Sequence, residues 1–243
     1  MRLLLIRHGD PDYAIDGLTE KGKREALLLA NRLKKEKIDK IYCSPRGRAR
    51  LTAEPTVKAL GMEAEILPFM REFNVKRVKL PYMDEPAIPW DILPEFMEGC
   101  PDAYTPDAWQ NTPHIKESEV FEEYKAVCRG FDEILARHGY ERDGYNYRAV
   151  RPNHDTVAIF CHFGVIAVVL SHLLNCSPYS LWQHTCALTS SVTTLYTEER
   201  REGRALLRMA GFSDISHLYA EGEPPAFAAR FCECFTDDTV HDA

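Results

Sequence analysis

The stretch MRLLLIRHGD, residues 1–10, decides the fold of this chain. Its aliphatic run, Leu3–Ile6, predicts a short buried strand. That strand ends at Arg7 and His8, and Gly9 follows at once. Ligands of open α/β sheets bind in the crevice beyond the carboxyl ends of the strands. An arginine and a histidine placed side by side at such an end therefore indicate a functional site.

Strand and helix signals alternate in the early part of the chain. Thr19 predicts the cap of a first helix. The buried face of that helix shows the i, i+3, i+4, i+7 spacing of Ala26, Leu29, Ala30 and Leu33. Residues 39–43 predict a short strand. A second helix is expected to begin with Ser44 as its cap and Pro45 as its first residue, and to end at Gly61.

The C-terminal half repeats this alternation. A helix is predicted over Ser118–His138, and residues 157–161 (VAIFC) predict an apolar strand that ends on His162. Residues 191–196 and 205–209 predict a β-hairpin. The pattern indicates an α/β fold, a three-layer sandwich with a mostly parallel central sheet, helices on both faces and an irregular lid insertion.

A proline-rich segment interrupts the alternation. Residues 74–116, here called the lid, hold seven prolines and no sustained periodicity, which is typical of a functional lid. Residues 139–155 are polar, and we interpret them as a smaller surface insertion. The chain is accordingly predicted to be a single domain, residues 1–243, with these two insertions. From Leu80 to Ile115 the lid is acidic and aromatic without any Lys or Arg, so we expect it to favour monophosphates over bisphosphates.

Composition narrows the possible partners. The chain has 243 residues, 30 Lys and Arg against 37 Asp and Glu, and a net charge of −7. An acidic balance disfavours nucleic acid and anionic membranes as partners, because both attract basic surfaces. No signal or membrane-spanning segment is recognised, which predicts a cytoplasmic protein. The eight cysteines include no CxxC pair, and Cys232 and Cys234 have the wrong spacing for a zinc knuckle, so no metal site is expected.

Two stretches share one design. LLLIRHG and VAIFCHFG are both apolar strands that end on a histidine and lead to a glycine, so parallel pairing would bring His8 and His162 to one crevice. A third stretch, SPRGRAR (residues 44–50), opens a helix whose N-terminus favours anions and whose first turn contains Arg48. With Arg7, these side chains can form a cage for a tetrahedral anion.

This set of residues suits phosphoryl transfer. A histidine nitrogen is a nucleophile at neutral pH, and His8 can attack phosphorus to form a phosphohistidine. Arg7, Arg48 and His162 can hold the phosphoryl oxygens. A carboxylic acid must protonate the leaving group. Glu72, just after a predicted strand, is the leading candidate, and Asp10 is the alternative.

The motifs together resemble the histidine phosphatase superfamily, which has the phosphoglycerate mutase-like fold. They are LLLIRHG, SPRGRARLTAEP, the Glu after the next strand and FCHFGVI, in this order. The resemblance implies that His8 is phosphorylated and that Arg7, Arg48 and His162 bind the phosphoryl group. It implies an acid/base role for Glu72 and no metal or other cofactor. The expected partners are a small phosphorylated substrate and inorganic phosphate, and the oligomeric state is left open.

Three functions compete. Hydrolysis of a phosphomonoester is favoured, because DPDYAIDGLT after the first motif lacks the Gln-Ser and Trp-Asn of phosphoglycerate mutases. Phosphoryl transfer of the mutase type is the alternative, and a non-catalytic phospho-ligand binding protein is the third. Arg46 and Arg50 are expected on a solvated helix face. His217 is expected to support the site from behind, whereas structural or surface roles are expected for His114, His138, His154, His172, His184 and His241.

Overall fold

A computed structural model describes residues 1–73, 78–227 and 236 of the chain. The first part of the lid, residues 74–77, therefore lies outside the described residues. So do Cys232, Cys234 and His241, for which the sequence also made predictions.

In the part of the chain that the structure describes, ten strands form the framework. They are β1 (Arg2–Arg7), β2 (Pro11–Asp12), β3 (Gly17–Leu18), β4 (Lys40–Cys43), β5 (Ala64–Ile66), β6 (Tyr140–Asp143), β7 (Asn146–Ala149), β8 (Thr156–Cys161), β9 (Val192–Arg201) and β10 (Arg204–Asp214). Eight α-helices accompany them within the described residues. They are α1 (Glu20–Leu33), α2 (Gly47–Leu60), α3 (Pro94–Glu98), α4 (Pro113–Lys116), α5 (Val120–Arg137), α6 (Phe163–Leu174), α7 (Pro178–Trp182) and α8 (Ser216–Tyr219). Short 3₁₀ helices cover Pro68–Met70, Pro101–Tyr104 and Trp109–Asn111.

The central sheet has the order β5-β4-β8-β1-β9-β10-β7-β6. Its first four strands are parallel, and the remaining pairs are antiparallel. The predicted hairpin is present, but β9 and β10 extend further and meet at a turn that contains Gly203. Residues 140–149, within the expected surface insertion, form a hairpin that extends the same sheet.

Helices cover both faces of the sheet, as predicted for an α/β sandwich. Successive strand side chains point to opposite faces, so β1 places Leu3 and Leu5 in one buried cluster and Leu4 and Ile6 in the other. The second cluster is completed by α1 and α2, and the first by α5, α6 and the lid. The parallel strands are thus buried on both sides, which is why β1 and β8 are continuous apolar runs.

Two of the predicted helix ends are confirmed and one is wrong. Thr19 caps α1 by accepting a hydrogen bond from the N–H of Gly22, and Gly61 ends α2 in the left-handed conformation. Ser44 and Pro45 do not begin α2, because Arg46 is the cap residue and the helix starts at Gly47.

The lid packs on the body through its apolar side chains. Trp90 and Trp109 are buried, and their ring centroids both lie 6.2 Å from that of Trp182 in α7. The acidic lid residues are instead exposed, and they comprise Asp84, Glu85, Asp91, Glu95, Glu98, Asp102 and Asp107. The two tryptophans therefore seal the lid onto the core, while the carboxylates lie on its outer surface. Among the described helices, none combines the length and apolar character needed to cross a bilayer.

Candidate active site

The parallel pairing of β1 and β8 brings the two histidines together. Arg7 lies opposite Cys161 in the register, and the N–H of His8 donates to the carbonyl of Cys161 at 3.0 Å. The next residues along both strands are His8 and His162, and their ring centroids are 5.1 Å apart with the planes inclined by 58°. The crevice at the carboxyl end of the sheet thus holds both imidazoles, as the sequence predicted.

The tautomer of His8 follows from its neighbours. Nδ1 lies 2.7 Å from the carbonyl oxygen of Gly9, which can only accept a hydrogen bond, so Nδ1 carries the proton. Arg48 Nε donates to Nε2 at 3.3 Å. Nε2 therefore presents its lone pair towards the cationic side of the site. A lone pair held there is the one available for attack on an electrophile.

Arg48 is fixed by an acidic residue that sequence reasoning missed. Asp16 Oδ1 accepts from Arg48 Nη1 at 2.6 Å, and Asp16 Oδ2 accepts from the N–H of Gly47 at 2.9 Å. Asp16 has a positive φ of 48° in the loop joining β2 and β3. The exposed ring of Tyr13 lies under the guanidinium, 5.4 Å from centroid to Cζ. Arg46, the cap residue of α2, and Arg50, within α2, are both exposed.

Arg7 extends from the end of β1 towards the loop before β9. Its Nη1 donates to the carbonyl of Ala187, and its guanidinium lies 6.0 Å from the ring centroid of Phe163. Arg7 is only 3% exposed, so its charge acts in a low-dielectric setting.

His162 is the cap residue at the N-terminus of α6, and its side chain bonds to Ser44. Its Nε2 lies 2.7 Å from Ser44 Oγ, and the same hydroxyl oxygen accepts a hydrogen bond from the N–H of Arg46 at 3.2 Å, just before α2. Within the described residues, Nδ1 of His162 is buried and has no hydrogen-bond partner. A buried ring nitrogen without a partner is a position at which a ligand oxygen can be held.

Glu72 lies beside the N-terminus of α6, beneath the lid. A Cβ built on Gly164 would be 2.8 Å from Glu72 Oε1 and 2.3 Å from the ring of Trp90, so all three groups meet here. Glu72 Oε1 accepts from the N–H of Phe73 at 2.8 Å. Burial raises the pKa of Glu72, although that hydrogen bond and the charges of Arg48 and Arg7 oppose the rise.

The electrostatics of the site favour neutral histidines. Burial, with help from the charges of Arg7 and Arg48, lowers the pKa of His8 well below its usual value. Burial also lowers the pKa of His162, and the neighbouring His8 and the two arginines add to the effect. The site therefore combines two fixed cations, two neutral imidazoles and one carboxyl with a raised pKa. Such a set can bind a tetrahedral anion and exchange a proton with it.

Asp10, the alternative acid, points elsewhere. Its Oδ2 accepts from the hydroxyl of Thr19 at 2.6 Å, and its carbonyl accepts from the N–H of Thr19 at 3.1 Å. Both contacts turn Asp10 towards the cap of α1. Glu72, by contrast, lies where the positive charges of Arg48 and Arg7 act on its pKa.

A buried loop, residues 187–191, supports the site and was not predicted. The N–H of Ser190 donates to the carbonyl of His8 at 2.9 Å, and the carbonyl of Ser191 accepts from the N–H of Arg7 at 3.1 Å. The Oγ atom of Ser190 also forms a hydrogen bond with Nε2 of His217, at 3.1 Å. His217 thus contacts the site through this loop, in line with the supporting position expected for it.

The other histidines lie in structural settings. His114 bonds to the hydroxyl of Tyr179 at 3.0 Å, and His172 bonds to Asp132 at 2.9 Å. Within the part of the chain that the structure describes, no group of three or more His, Cys, Asp or Glu side chains is arranged to hold a metal ion.

Comparison with known proteins gives one family. The model of the histidine phosphatase superfamily (branch 1) matches residues 3–208. Phosphoserine phosphatase 1 of Hydrogenobacter thermophilus is 25% identical over 234 residues, which cover 91% of this chain and 97% of that protein. Adenosylcobalamin/alpha-ribazole phosphatase of Salmonella typhi is 26% identical over 191 residues, or 75% of this chain and 84% of that protein. The solved structure of a phosphoserine phosphatase mutant from Entamoeba histolytica in complex with phosphoserine has a TM-score of 0.58 at 17% identity, covering 89% and 98% of the two chains.

The setting of His217 predicts how stability changes with pH. Burial lowers the pKa of His217 to about 4, so the folded chain keeps this ring neutral while the unfolded chain protonates it below about pH 6.5. The free energy of unfolding should therefore fall as the pH drops from 6.5 towards 4. In His217→Gln, which can still bond to Ser190, the fall between pH 7 and pH 4 should be smaller by about 2–3 kcal/mol. Urea denaturation across this pH range measures it.

The exposed His154 provides the matched control. His154→Gln should leave the pH dependence of the unfolding free energy close to that of the parent protein. The assignment is wrong if the two glutamine variants show the same pH dependence.

Proposed function

The chain belongs to the histidine phosphatase superfamily (branch 1), and on that premise we propose that it hydrolyses a small phosphomonoester through a phosphohistidine on His8. The observation that carries the proposal is the state of the His8 ring. Its Nδ1 carries a proton that is donated to the carbonyl of Gly9, and its Nε2 lone pair faces Nε of Arg48. The His162 ring lies next to it, with 5.1 Å between the ring centroids.

The proposed reaction has two steps. In the first, Nε2 of His8 attacks phosphorus, the P–O bond to the leaving group breaks, and Glu72 donates its proton to the departing alkoxide. In the second, the carboxylate of Glu72 takes a proton from water, whose oxygen attacks the phosphorus. The P–N bond breaks, its electron pair returns to Nε2 of His8, and inorganic phosphate is released. Arg7, Arg48 and His162 stabilise the equatorial oxygens in both steps.

Burial suits both partners to their roles. A His8 ring with a strongly lowered pKa remains neutral in mildly acidic solution, so the nucleophile does not need to be deprotonated first. A Glu72 carboxyl with a raised pKa keeps its proton to higher pH than an exposed glutamate. The acid and the nucleophile are thus available at the same pH.

Replacement of His8 tests the covalent step. His8→Ala should abolish turnover, and denatured samples quenched during turnover should lack the acid-labile phosphohistidine that the parent protein yields. His154→Ala, at an exposed position far along the chain, is the control and should retain activity. A folded His8→Ala protein with near-parental phosphate release would refute the mechanism.

Replacement of Glu72 tests the acid. Glu72→Gln should lower kcat by about 10²–10⁴-fold on an alkyl phosphate, whose leaving group needs a proton, and much less on p-nitrophenyl phosphate. The fall in kcat/KM at high pH that reflects loss of the Glu72 proton should disappear in this variant. Equal losses on both substrates would transfer the role to Asp10.

O-phosphoserine is the first substrate to test, because two of the similar proteins are named phosphoserine phosphatases. The lid from Leu80 to Ile115 offers no Lys or Arg to a second phosphate. We therefore expect kcat/KM for O-phosphoserine to exceed that for fructose bisphosphate by at least about tenfold, or about 1.4 kcal/mol. A phosphate-release assay measures hydrolysis of both compounds. Conversion of 3-phosphoglycerate to 2-phosphoglycerate without release of phosphate, measured separately, would reveal mutase activity. Preference for the bisphosphate would favour the mutase alternative.

A further inference from the structure

The side chain of Glu25 is fully buried although it lies only two turns into α1. It is 0% exposed, and its two oxygens both accept hydrogen bonds from outside the helix. Oε2 accepts from the main-chain N–H of Asp10 at 2.9 Å, and Oε1 accepts from the hydroxyl of Thr189 at 3.1 Å. Lys21 Nζ lies 3.6 Å from Oε1. A carboxylate is rarely buried in this way unless its position is needed, because desolvation is costly.

The N–H that Glu25 holds belongs to the peptide group that orients His8. One planar peptide joins Gly9 to Asp10, and it carries the Gly9 carbonyl at one end and the Asp10 N–H at the other. The carbonyl accepts the Nδ1 proton of His8 at 2.7 Å, while the N–H donates to Glu25. Rotation of this peptide would break both bonds at once. Fixing one end therefore fixes the other.

We infer that Glu25 is the positioning residue of the nucleophile, acting on the His8 ring through the Gly9–Asp10 peptide. It orients the Gly9 carbonyl, which in turn sets the tautomer and direction of the imidazole and leaves the Nε2 lone pair facing the phosphoryl site. The arrangement corresponds to the carboxylate that orients a catalytic histidine in a hydrolytic triad, with a peptide group inserted between the two. The inference rests on the proposed role of His8.

The hydrogen bond that Glu25 accepts from Thr189 also supports a role for Glu25 in positioning His8. Thr189 belongs to loop 187–191, which receives the side chain of Arg7 and donates to the carbonyl of His8. One carboxylate thus ties to α1 both the segment that follows His8 and the loop that flanks it. By contrast, Arg48 is held by its bond to Asp16 and His162 by its bond to Ser44, and neither bond involves Glu25.

Because Glu25 holds the segment after His8 but not Arg48 or His162, its replacement should affect kcat more than KM. Glu25→Met removes both acceptors with little change in size, and it should lower kcat by about 10–100-fold because small errors in nucleophile position are costly. KM for O-phosphoserine should stay within about threefold, since Arg48 and His162 keep their places. Glu25→Gln can still accept from Asp10 and bond to Thr189, and it should retain at least about a third of the parental kcat.

A spectroscopic readout separates positioning from general stability. In protein with ¹⁵N-labelled histidine, the parent and Glu25→Gln should show His8 as a single tautomer protonated at Nδ1, and Glu25→Met should show exchange between tautomers. Glu20→Gln, at an exposed position of the same helix, should match the parent in kcat and in the spectrum. If Glu25→Met does not fold, Glu25→Leu takes its place in both measurements.

His8→Ala, assayed in parallel, distinguishes the two proposals. If His8→Ala retains turnover, the proposed nucleophile itself is wrong. If His8→Ala is inactive while folded Glu25→Met keeps parental kcat and a single His8 tautomer, the role of Glu25 alone is refuted. Loss of kcat in both the methionine and the glutamine variants to the same extent would also refute it, because the bond to Asp10 would then not be the cause.

Discussion

Six consecutive residues of β1 pair in parallel with six of β8, from Arg2 opposite Thr156 to Arg7 opposite Cys161. This pairing joins parts of the chain that are about 150 residues apart. Closing so long a loop costs conformational entropy, and the contacts that form together along the two strands compensate for that cost. The two strands are apolar on both faces, so their burial against helices on each side holds the register. A shift by one residue would move His162 away from His8 and turn the aliphatic side chains to the wrong faces.

Polar groups gather where the pairing ends, and their burial shapes the chemistry. Arg7, His8, Arg48, Glu72 and His162 are all less than one-tenth exposed. Placing charges in such a setting is unfavourable unless they are paired, and the structure meets this demand with Asp16 on Arg48 and a main-chain carbonyl on Arg7. The same low dielectric makes each charge more effective on a bound phosphoryl group. The contacts that keep the site folded are also the ones that keep it preorganised.

Much of this arrangement was readable from local sequence. The aliphatic runs before His8 and His162, the Thr19 cap and the Gly61 stop each express a preference that operates within a few residues, and the structure confirms those elements. Ser44 was misassigned as the cap of α2. Its hydroxyl accepts from the N–H of Arg46 and also bonds to His162, 118 residues away, a long-range contact that local sequence does not show. Glu25 was overlooked for the same reason, since Thr189 lies 164 residues further along the chain. A buried carboxylate on an amphipathic helix gives no sequence signal of what it contacts.

The lid is attached by aromatic rings, and this has an optical consequence. The chain contains three tryptophans, and Trp90 and Trp109 of the lid both lie beside Trp182 of the body. Trp182 is fixed by its indole N–H, which donates to the carbonyl of Gly164 in the first turn of α6. The tryptophan fluorescence of the protein therefore originates entirely at the seam between lid and body. Its wavelength and intensity are an intrinsic record of whether the seam is dry, without any label.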